Sequence, residues 1–153
     1  VPDCYFLLIG DGPLRNKVAS LLQELGLIQY TIMTGLRRDI PRLLSAMDVF
    51  LITSRWEGLP RVIPEAMFAG VPLVASAVDG SMEIIQNGVT GYTCPPGNVR
   101  TFAVRCIKLL TNPQERKKMA EAARQFASQH FDLDYMITQI DQLYSHLLNS
   151  RGK

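Results

Sequence analysis

Apolar residues along the chain occur as short unbroken runs separated by stretches of helical spacing. The runs at 4–9, 30–34, 49–53 and 73–75 are bounded by glycine, proline or polar residues. Such runs are typical of strands that are covered on both faces. Between the runs, apolar positions recur every three or four residues, which predicts amphipathic helices. Strands that alternate with helices favour a parallel sheet.

The last third of the chain is predicted to be helical. A fifth short strand is expected around Tyr92, and Asn98, Asn112 and Asp132 then each precede an apolar stripe that they can cap. We therefore predict an α/β fold: a Rossmann-like parallel sheet of about five strands, helices on both faces and a helical C-terminal third. Residues 1–153 have the length of a single domain and are short for a two-domain enzyme.

Proline, glycine and capping residues predict where several inner helices begin and end. Pro60 suits the first turn of a helix that Gly70 and Pro72 end. Asp39 can cap a helix that runs to Met47, and Ser81 can cap a short helix after the strand at 73–75. Each of these predictions rests on one local residue type.

Composition narrows the classes of protein that the chain can be. A hydrophobic content of 47% with 20% charged residues is that of a folded globular protein, and a net charge of +2 gives no electrostatic footprint for nucleic acid. No apolar run approaches about 18 residues, and no signal peptide is recognisable, which predicts a cytoplasmic protein. Cys4, Cys94 and Cys106 are widely spaced, so we expect buried thiols and no disulfide or metal site.

The segment from Thr53 to Ser76 carries the most unusual chemistry. Glu57 falls in the turn after a predicted strand, and Glu65 falls in the second turn of the predicted helix, so both carboxylates are expected to flank the helix N-terminus. Unpaired backbone N–H groups at such a terminus attract a phosphate. The predicted donors are those of Leu59, Arg61, Val62 and Ile63.

Two acids around an anion site match the shape of a nucleotide sugar, which has a diphosphate between two hydroxyl-rich groups. Two other interpretations stay open. A glycosidase also uses two carboxylates, but these lie about 5–9.5 Å apart across one bond. In a purely structural interpretation, Glu57 makes a turn contact and Glu65 complements the helix dipole.

Several blocks of the sequence resemble a known family. EGLPRVIPEAM has the E-x7-E spacing, and AGVPLVASAVDGSMEIIQNGVTGYTCPPGN follows it. LLIGDGPLR, MTGLRRDIPRLLSAMDVFL and LLTNPQERKKMAEAAR match the same pattern in the same order. Together these blocks resemble the donor-binding half of retaining glycosyltransferase family 4, which has the GT-B fold. The resemblance implies a hexosyltransferase that takes a nucleotide diphosphate sugar, such as a UDP- or GDP-sugar, without a metal.

The resemblance also implies roles for particular residues. Glu57 takes the catalytic position and is better described as positioning the donor than as a nucleophile. The implied donor-binding residues are Gly35, Arg37, Gly58, Leu59, Arg61, Val62 and Glu65. Arg37 lies in the loop that contacts the base in the family, where it stacks on the base or is simply solvated. Asp79 departs from the family, which usually has two glycines at positions 79 and 80, and Glu83 matches the family's glutamate in that helix.

Two parts of the family pattern have no counterpart in these residues. One is the first strand of the donor domain, whose loop brings an arginine and a lysine to the diphosphate, and the other is the N-terminal domain that binds the acceptor glycan or lipid. We therefore expect the isolated chain to be weakly active or inactive. The alternative is a non-catalytic nucleotide-sugar-binding or interaction module. A flavodoxin-like regulatory domain has only Asp11 as support.

The expected gap in the sheet leads to a structural hypothesis. The missing strand belongs between the strands at 4–9 and 49–53, so two inner edges are left unpaired. Either these strands pair directly, or two copies of the chain self-associate through the exposed edges. The parent enzyme is predicted to be cytoplasmic, with peripheral contact to the inner membrane left open.

Overall fold

A computed structural model describes residues 3–150, and it contains five strands and seven α-helices. The strands are β1 (Phe6–Ile9), β2 (Thr31–Gly35), β3 (Phe50–Ile52), β4 (Leu73–Ser76) and β5 (Tyr92–Cys94). The helices are α1 (Arg15–Glu24), α2 (Ile40–Leu44), α3 (Val62–Ala69), α4 (Asp79–Ile84), α5 (Val99–Thr111), α6 (Pro113–His130) and α7 (Leu133–Ser150). A 3-10 turn at Ile28–Tyr30 precedes β2. The predicted α/β class, the five strands and the helical C-terminal third are confirmed.

The strands are parallel, but they form two sheets instead of one. β1 pairs with β2 from Phe6↔Thr31 onwards, and the register shifts after Leu8 so that Ile9 lies opposite Gly35. β4 lies between β3 and β5, in the order β3-β4-β5. Among the described residues, β1 therefore pairs with β2 and β3 pairs with β4. The hypothesis that β1 and β3 pair directly is wrong for this structure.

The chain divides into two compact units between Arg42 and Leu43. The N-terminal unit contains β1, α1 and β2, and none of its residues from 3 to 42 is buried. Gly26, with φ of 65°, follows the end of α1 in the left-handed region. The guanidinium of Arg15 on α1 donates to the carbonyl oxygen of Met33 on β2 at 3.5 Å. The unit is therefore a β-α-β arrangement of half-buried and exposed side chains.

The C-terminal unit contains the hydrophobic core, in two clusters. β4 is buried along its whole length and contributes to both. The first cluster comprises Ile63, Met67, Leu73, Ala75, Ile84, Ile85, Ala123 and Ala127. The second comprises Val74, Tyr92, Cys94, Phe102, Leu109 and Met119. Leu73 and Ala75 thus pack with α3, α4 and α6, and Val74 packs with β5, α5 and Met119 of α6, as expected for a strand covered on both faces.

Side-chain caps confirm the helix boundaries predicted in the last third. Asn98 accepts a hydrogen bond from the backbone N–H of Thr101, and Asn112 accepts one from Glu115, each at 3.1 Å. Asp132 accepts from the N–H groups of residues 134 and 135 before α7. Such caps satisfy N–H groups that have no partner inside the helix.

Three inner helices differ from their predicted bounds, each for a local reason. The carboxylate of Asp39 pairs with Arg37 instead of capping α2, and the chain beyond Leu44 makes i→i+3 turns, so α2 does not reach Met47. α3 begins at Val62, which leaves Pro60 before the helix. α4 begins at Asp79, so Ser81 lies buried inside the helix and does not cap it.

A group of three polar side chains links β5 to α5 and α6. The Tyr92 hydroxyl donates to the carboxylate of Glu115 on α6, and Lys108 on α5 forms an ion pair with the same carboxylate at 2.7 Å. The hydrogen bond from Lys108, and then that from Tyr92, lower the pKa of Glu115. Glu115 thus joins α6 to β5 and α5 and is not simply solvated.

None of the three cysteines, all within the described residues, forms a disulfide bond. Cys94 is buried, and burial raises the pKa of its thiol, whereas Cys4 and Cys106 are only half-buried. The predicted burial is therefore complete only at Cys94.

Candidate donor-binding site

The candidate site lies where the chain passes from β3 into α3, in the C-terminal unit. Residues 53–61 have no regular secondary structure, and α3 follows them. Ile63, Ala66 and Met67 are buried in the core, which anchors α3, and Gly70 ends the helix in the left-handed region with φ of 70°. Gly70 thereby ends α3 as predicted. The first turn of α3 is thus held in place by packing on one side.

Backbone N–H groups before and at the start of α3 are free, as the sequence predicts for Leu59, Arg61 and Val62. Within residues 3–150 these three groups make no hydrogen bond in the turns or in the helix. Ile63 is different, because its N–H donates to the carbonyl oxygen of Pro60 at 3.0 Å. The prediction of a free N–H at Ile63 is therefore wrong, and three donors remain available to an anion.

Glu57 lies in the irregular segment, and its carboxylate is oriented by a neighbour that the sequence did not single out. The hydroxyl of Ser54 donates to Oε1 of Glu57 at 2.6 Å, and both side chains are half-buried. A hydrogen bond to a carboxylate is stronger than one between neutral groups, so Ser54 fixes this acid. The only signal in the sequence is the spacing of three residues between a serine and an acid in a turn.

Glu65 lies in the first turn of α3 and not in the second turn that the sequence predicted. Its side chain is half-buried, and its N–H donates to the carbonyl oxygen of Arg61 at 3.2 Å. A carboxylate in a first turn interacts favourably with the helix dipole. The two acids therefore stand on either side of the free N–H groups along the chain, and Glu65 retains the structural role that was left open.

The remaining predicted site residues, Gly35 and Arg37, belong to the N-terminal unit. Gly35 ends β2 with φ of 68°, a backbone conformation that favours glycine. The guanidinium of Arg37 forms a bidentate pair with Asp39 at 2.8 and 2.6 Å. This hydrogen bond lowers the pKa of Asp39 to about 2. Arg37 is thus held by Asp39 in this structure, while its role toward a base stays a prediction.

Trp56 adds an aromatic side chain next to Glu57. It is the single tryptophan of the chain, and it is 85% exposed. Leu59 in the same segment is also exposed. The predicted site is thus an open surface of the C-terminal unit in which Glu57, Gly58, Leu59, Arg61, Val62 and Glu65 follow closely along the chain.

Residues 3–150 contain neither a candidate metal site nor a candidate membrane span. In this part of the chain, no three histidine, cysteine or acidic side chains are grouped closely enough to hold a metal ion. None of the helices described there has both the length and the apolar character that crossing a bilayer requires.

The fold first defines the chain as a Rossmann-like α/β protein, and comparison with known proteins then gives its family. The family model described as glycosyl transferases group 1 matches residues 1–126. The chain therefore belongs to this family of glycosyltransferases, and the resemblance seen in its sequence is confirmed.

Several proteins similar to this chain are glycosyltransferases by name. The chain is 32% identical to the N-acetyl-alpha-D-glucosaminyl L-malate synthase of Bacillus anthracis, over 95% of its own length and 38% of that protein. It is 29% identical to an Escherichia coli UDP-Gal:alpha-D-GlcNAc-diphosphoundecaprenol alpha-1,3-galactosyltransferase, over 94% of its own length and 37% of that enzyme. The chain thus spans well under half the length of these relatives.

A solved structure shares both fold and sequence with the chain. Anabaena HepE, crystallised in complex with UDP-glucose, is 32% identical and superposes with a TM-score of 0.89. The match covers 95% of this chain and 42% of HepE. HepE has also been solved with UDP and glucose, and that structure superposes with a TM-score of 0.88.

Proposed function

We propose that residues 1–153 form the donor-binding domain of a hexosyltransferase. The parent enzyme transfers a sugar from a nucleotide diphosphate sugar to an acceptor hydroxyl with retention of configuration. One observation carries the proposal: the free N–H groups of Leu59, Arg61 and Val62 lie between two half-buried acids in a chain of this family. The UDP-glucose in the similar Anabaena HepE supports a nucleotide-sugar ligand.

The diphosphate binds at the start of α3. The N–H groups of Arg61 and Val62 donate to its oxygens, and the partial positive charge of the helix N-terminus adds to the attraction. The same donors stabilise the negative charge that develops as the nucleotide leaves. The core side chains Ile63 and Met67 hold α3, so these donors need little reorganisation during the reaction.

The two acids bind hydroxyl groups on either side of the diphosphate. Glu65 accepts hydrogen bonds from the ribose hydroxyls, and Glu57 accepts them from the sugar near the reacting carbon. Ser54 keeps the Glu57 carboxylate in one orientation, which favours a fixed position of the sugar. The acceptor attacks on the face of the sugar from which the phosphate leaves, and that phosphate takes the acceptor proton. Glu57 thus positions the donor and forms no covalent bond.

Contacts with the base and with the acceptor complete the proposal. For Gly35, at the end of β2, and Arg37, just after it, the proposed role is the contact with a base that the family resemblance implies. An acceptor glycan or lipid binds through a further domain of the parent enzyme. Self-association through exposed strand edges is part of the same proposal, and the solution mass of the purified chain tests it.

Calorimetric titration of the chain with UDP, GDP and ADP tests the donor site. We expect one nucleotide to bind, and Glu65→Ala to weaken it about tenfold or more, because a hydrogen-bonded carboxylate contributes about 1.5–3 kcal/mol. Glu121→Ala is the matched control, since Glu121 is an exposed carboxylate on α6. Equal affinities in both variants, or no binding at millimolar nucleotide, would contradict the proposal. Hydrolysis of UDP-glucose by the chain would reject the non-catalytic alternative.

A further inference from the structure

Gly80, in the first turn of α4, is in unusually close contact with the backbone of the candidate site. Gly80 is buried, and its φ lies outside the left-handed region, so its conformation suits any residue. A Cβ atom at this position would overlap the carbonyl oxygen of Gly58 and lie 2.5 Å from its carbonyl carbon. It would also lie 3.2 Å from the backbone nitrogen of Leu59. The glycine is therefore required by space and not by backbone angle.

The peptide that Gly80 contacts is part of the site. It joins Gly58 to Leu59, directly after Glu57, and it carries the free N–H of Leu59. The contact is between two backbones, so no side-chain rotation can relieve an added methyl group. A larger residue at position 80 must displace either α4 or the segment from Glu57 to Leu59.

The packing indicates which of the two would move. α4 leads into Ile84 and Ile85, both of which are in the core cluster around Leu73. The carbonyl oxygen of Val78 also accepts from the N–H groups of residues 81 and 82, which fixes the start of α4. Gly58 and Leu59 are exposed, and within residues 3–150 their backbone groups make no hydrogen bond in turns or caps. The peptide between the exposed residues Gly58 and Leu59 is therefore the part that yields.

We propose that Gly80 is a positioning residue for the donor site. Its missing side chain lets the segment from Glu57 to Leu59 rest directly on α4, which places the Glu57 carboxylate and the Leu59 N–H for the donor. This inference rests on the proposed function. It assigns the placement of the site to a helix later in the chain, through a contact that involves no functional side chain.

Gly80→Ala tests the inference, and Gly91→Ala provides a matched control. Gly91 is also buried, and its added Cβ would lie 2.7 Å from Leu73 Cδ1 and 3.1 Å from Ile85 Cγ2. Both variants therefore add a methyl group to a crowded position, but only in Gly80→Ala does that group contact the candidate site. UDP affinity is measured by calorimetry, and amide hydrogen exchange is followed in peptides that cover residues 55–61.

We expect Gly80→Ala to weaken UDP binding by about tenfold to a hundredfold, as for loss of one or two hydrogen bonds to a charged group. Exchange should rise in residues 55–61, while Gly91→Ala lowers the melting temperature and keeps UDP affinity within about twofold of the unsubstituted chain. Unchanged affinity in Gly80→Ala, or an equal loss in Gly91→Ala, would overturn the inference. Loss of the fold in Gly80→Ala would also overturn the inference, because the added methyl group would then have disrupted the core instead of displacing the segment from Glu57 to Leu59.

The same experiment separates failure of this inference from failure of the proposed function. If the unsubstituted chain binds no UDP, GDP or ADP, the proposed donor site is wrong. The contact of Gly80 is then judged by exchange alone: faster exchange at 55–61 in Gly80→Ala but not in Gly91→Ala supports it, and equal exchange overturns it.

Discussion

The two units of the chain share a sequence pattern but differ in what surrounds it. In each, an apolar strand leads through a helix to a second parallel strand, as in β1-α1-β2 and β3-α3-β4. Every residue of β4 is buried, whereas none is buried between residues 3 and 42. The difference is that α4, α5 and α6 contribute to the core around β4.

This comparison shows that a hydrophobic pattern predicts an element but not the layer that covers it. Two strands with a single helix bury too little apolar surface to be stable alone, so such a unit needs additional contacts. The C-terminal unit has those contacts within the chain. Its candidate site thus rests on a packed scaffold, as precise placement of functional groups requires.

We expect the largest difference in stability between two matched variants, each replacing a leucine on a strand of one unit. Leu73 on β4 is 0% exposed, and Leu8 on β1 is 38% exposed. Leu73→Ala should lower the free energy of unfolding by about 2–5 kcal/mol, because it leaves a cavity in the core. Leu8→Ala should lower it by about 1 kcal/mol or less, since its side chain is already partly in water.

Urea denaturation followed by circular dichroism measures both changes. The ratio of the two effects is the informative quantity, because both variants remove the same atoms from a parallel strand. Equal losses would show that β1 is as well covered as β4 in solution, which would contradict the contrast between the units.

A smaller effect is expected from the polar group around Tyr92, which links three elements of the C-terminal unit. The pKa of Glu115 is lowered in the folded chain, so the carboxylate stabilises the fold above its unfolded pKa, and that contribution is lost as pH falls through the folded pKa. Glu115→Gln should lower the free energy of unfolding by about 1 kcal/mol at pH 7.

The pH dependence distinguishes this effect from a simple loss of packing. Denaturation of the original chain should show stability falling below about pH 4, and Glu115→Gln should show a shallower fall there. If the two acid profiles run parallel, the carboxylate contributes nothing through its charge.

The smallest effect concerns the exposed pair in the N-terminal unit. Arg37 holds the pKa of Asp39 at about 2, and Arg37→Ala should raise it toward its ordinary value of about 3.9. A carboxyl titration followed by NMR measures this change directly. Because the pair is exposed, the melting temperature should barely change. A pKa of Asp39 that stays low in the variant would show that another group lowers it.

Much of the fold could be predicted because its signals are local. Gly70 and the capping residues Asn98 and Asn112 act within a few residues of their own positions, and each marks the boundary that the sequence predicted. Local signals failed where a neighbour competed for the same group. Asp39 could cap α2, but its carboxylate pairs with Arg37.

The features that the sequence did not predict depend on contacts between distant elements. The group formed by Tyr92, Lys108 and Glu115 joins a strand to two helices, and no spacing along the chain marks it. The contact of Gly80 with Gly58 likewise appears only when α4 is placed beside the site. For the candidate site, sequence located the two acids and the helix start but missed what positions them.

The exposed Trp56 has a practical consequence for spectroscopy. Because this indole is mostly in water in the folded chain, its fluorescence should resemble that of an unfolded chain, and a thermal melt followed by tryptophan emission would largely miss the loss of the core. The same property makes the emission a local optical reporter: any ligand or partner that covers the segment beside Glu57 should shift it toward the blue. The chain thus has a built-in signal for occupancy rather than for folding.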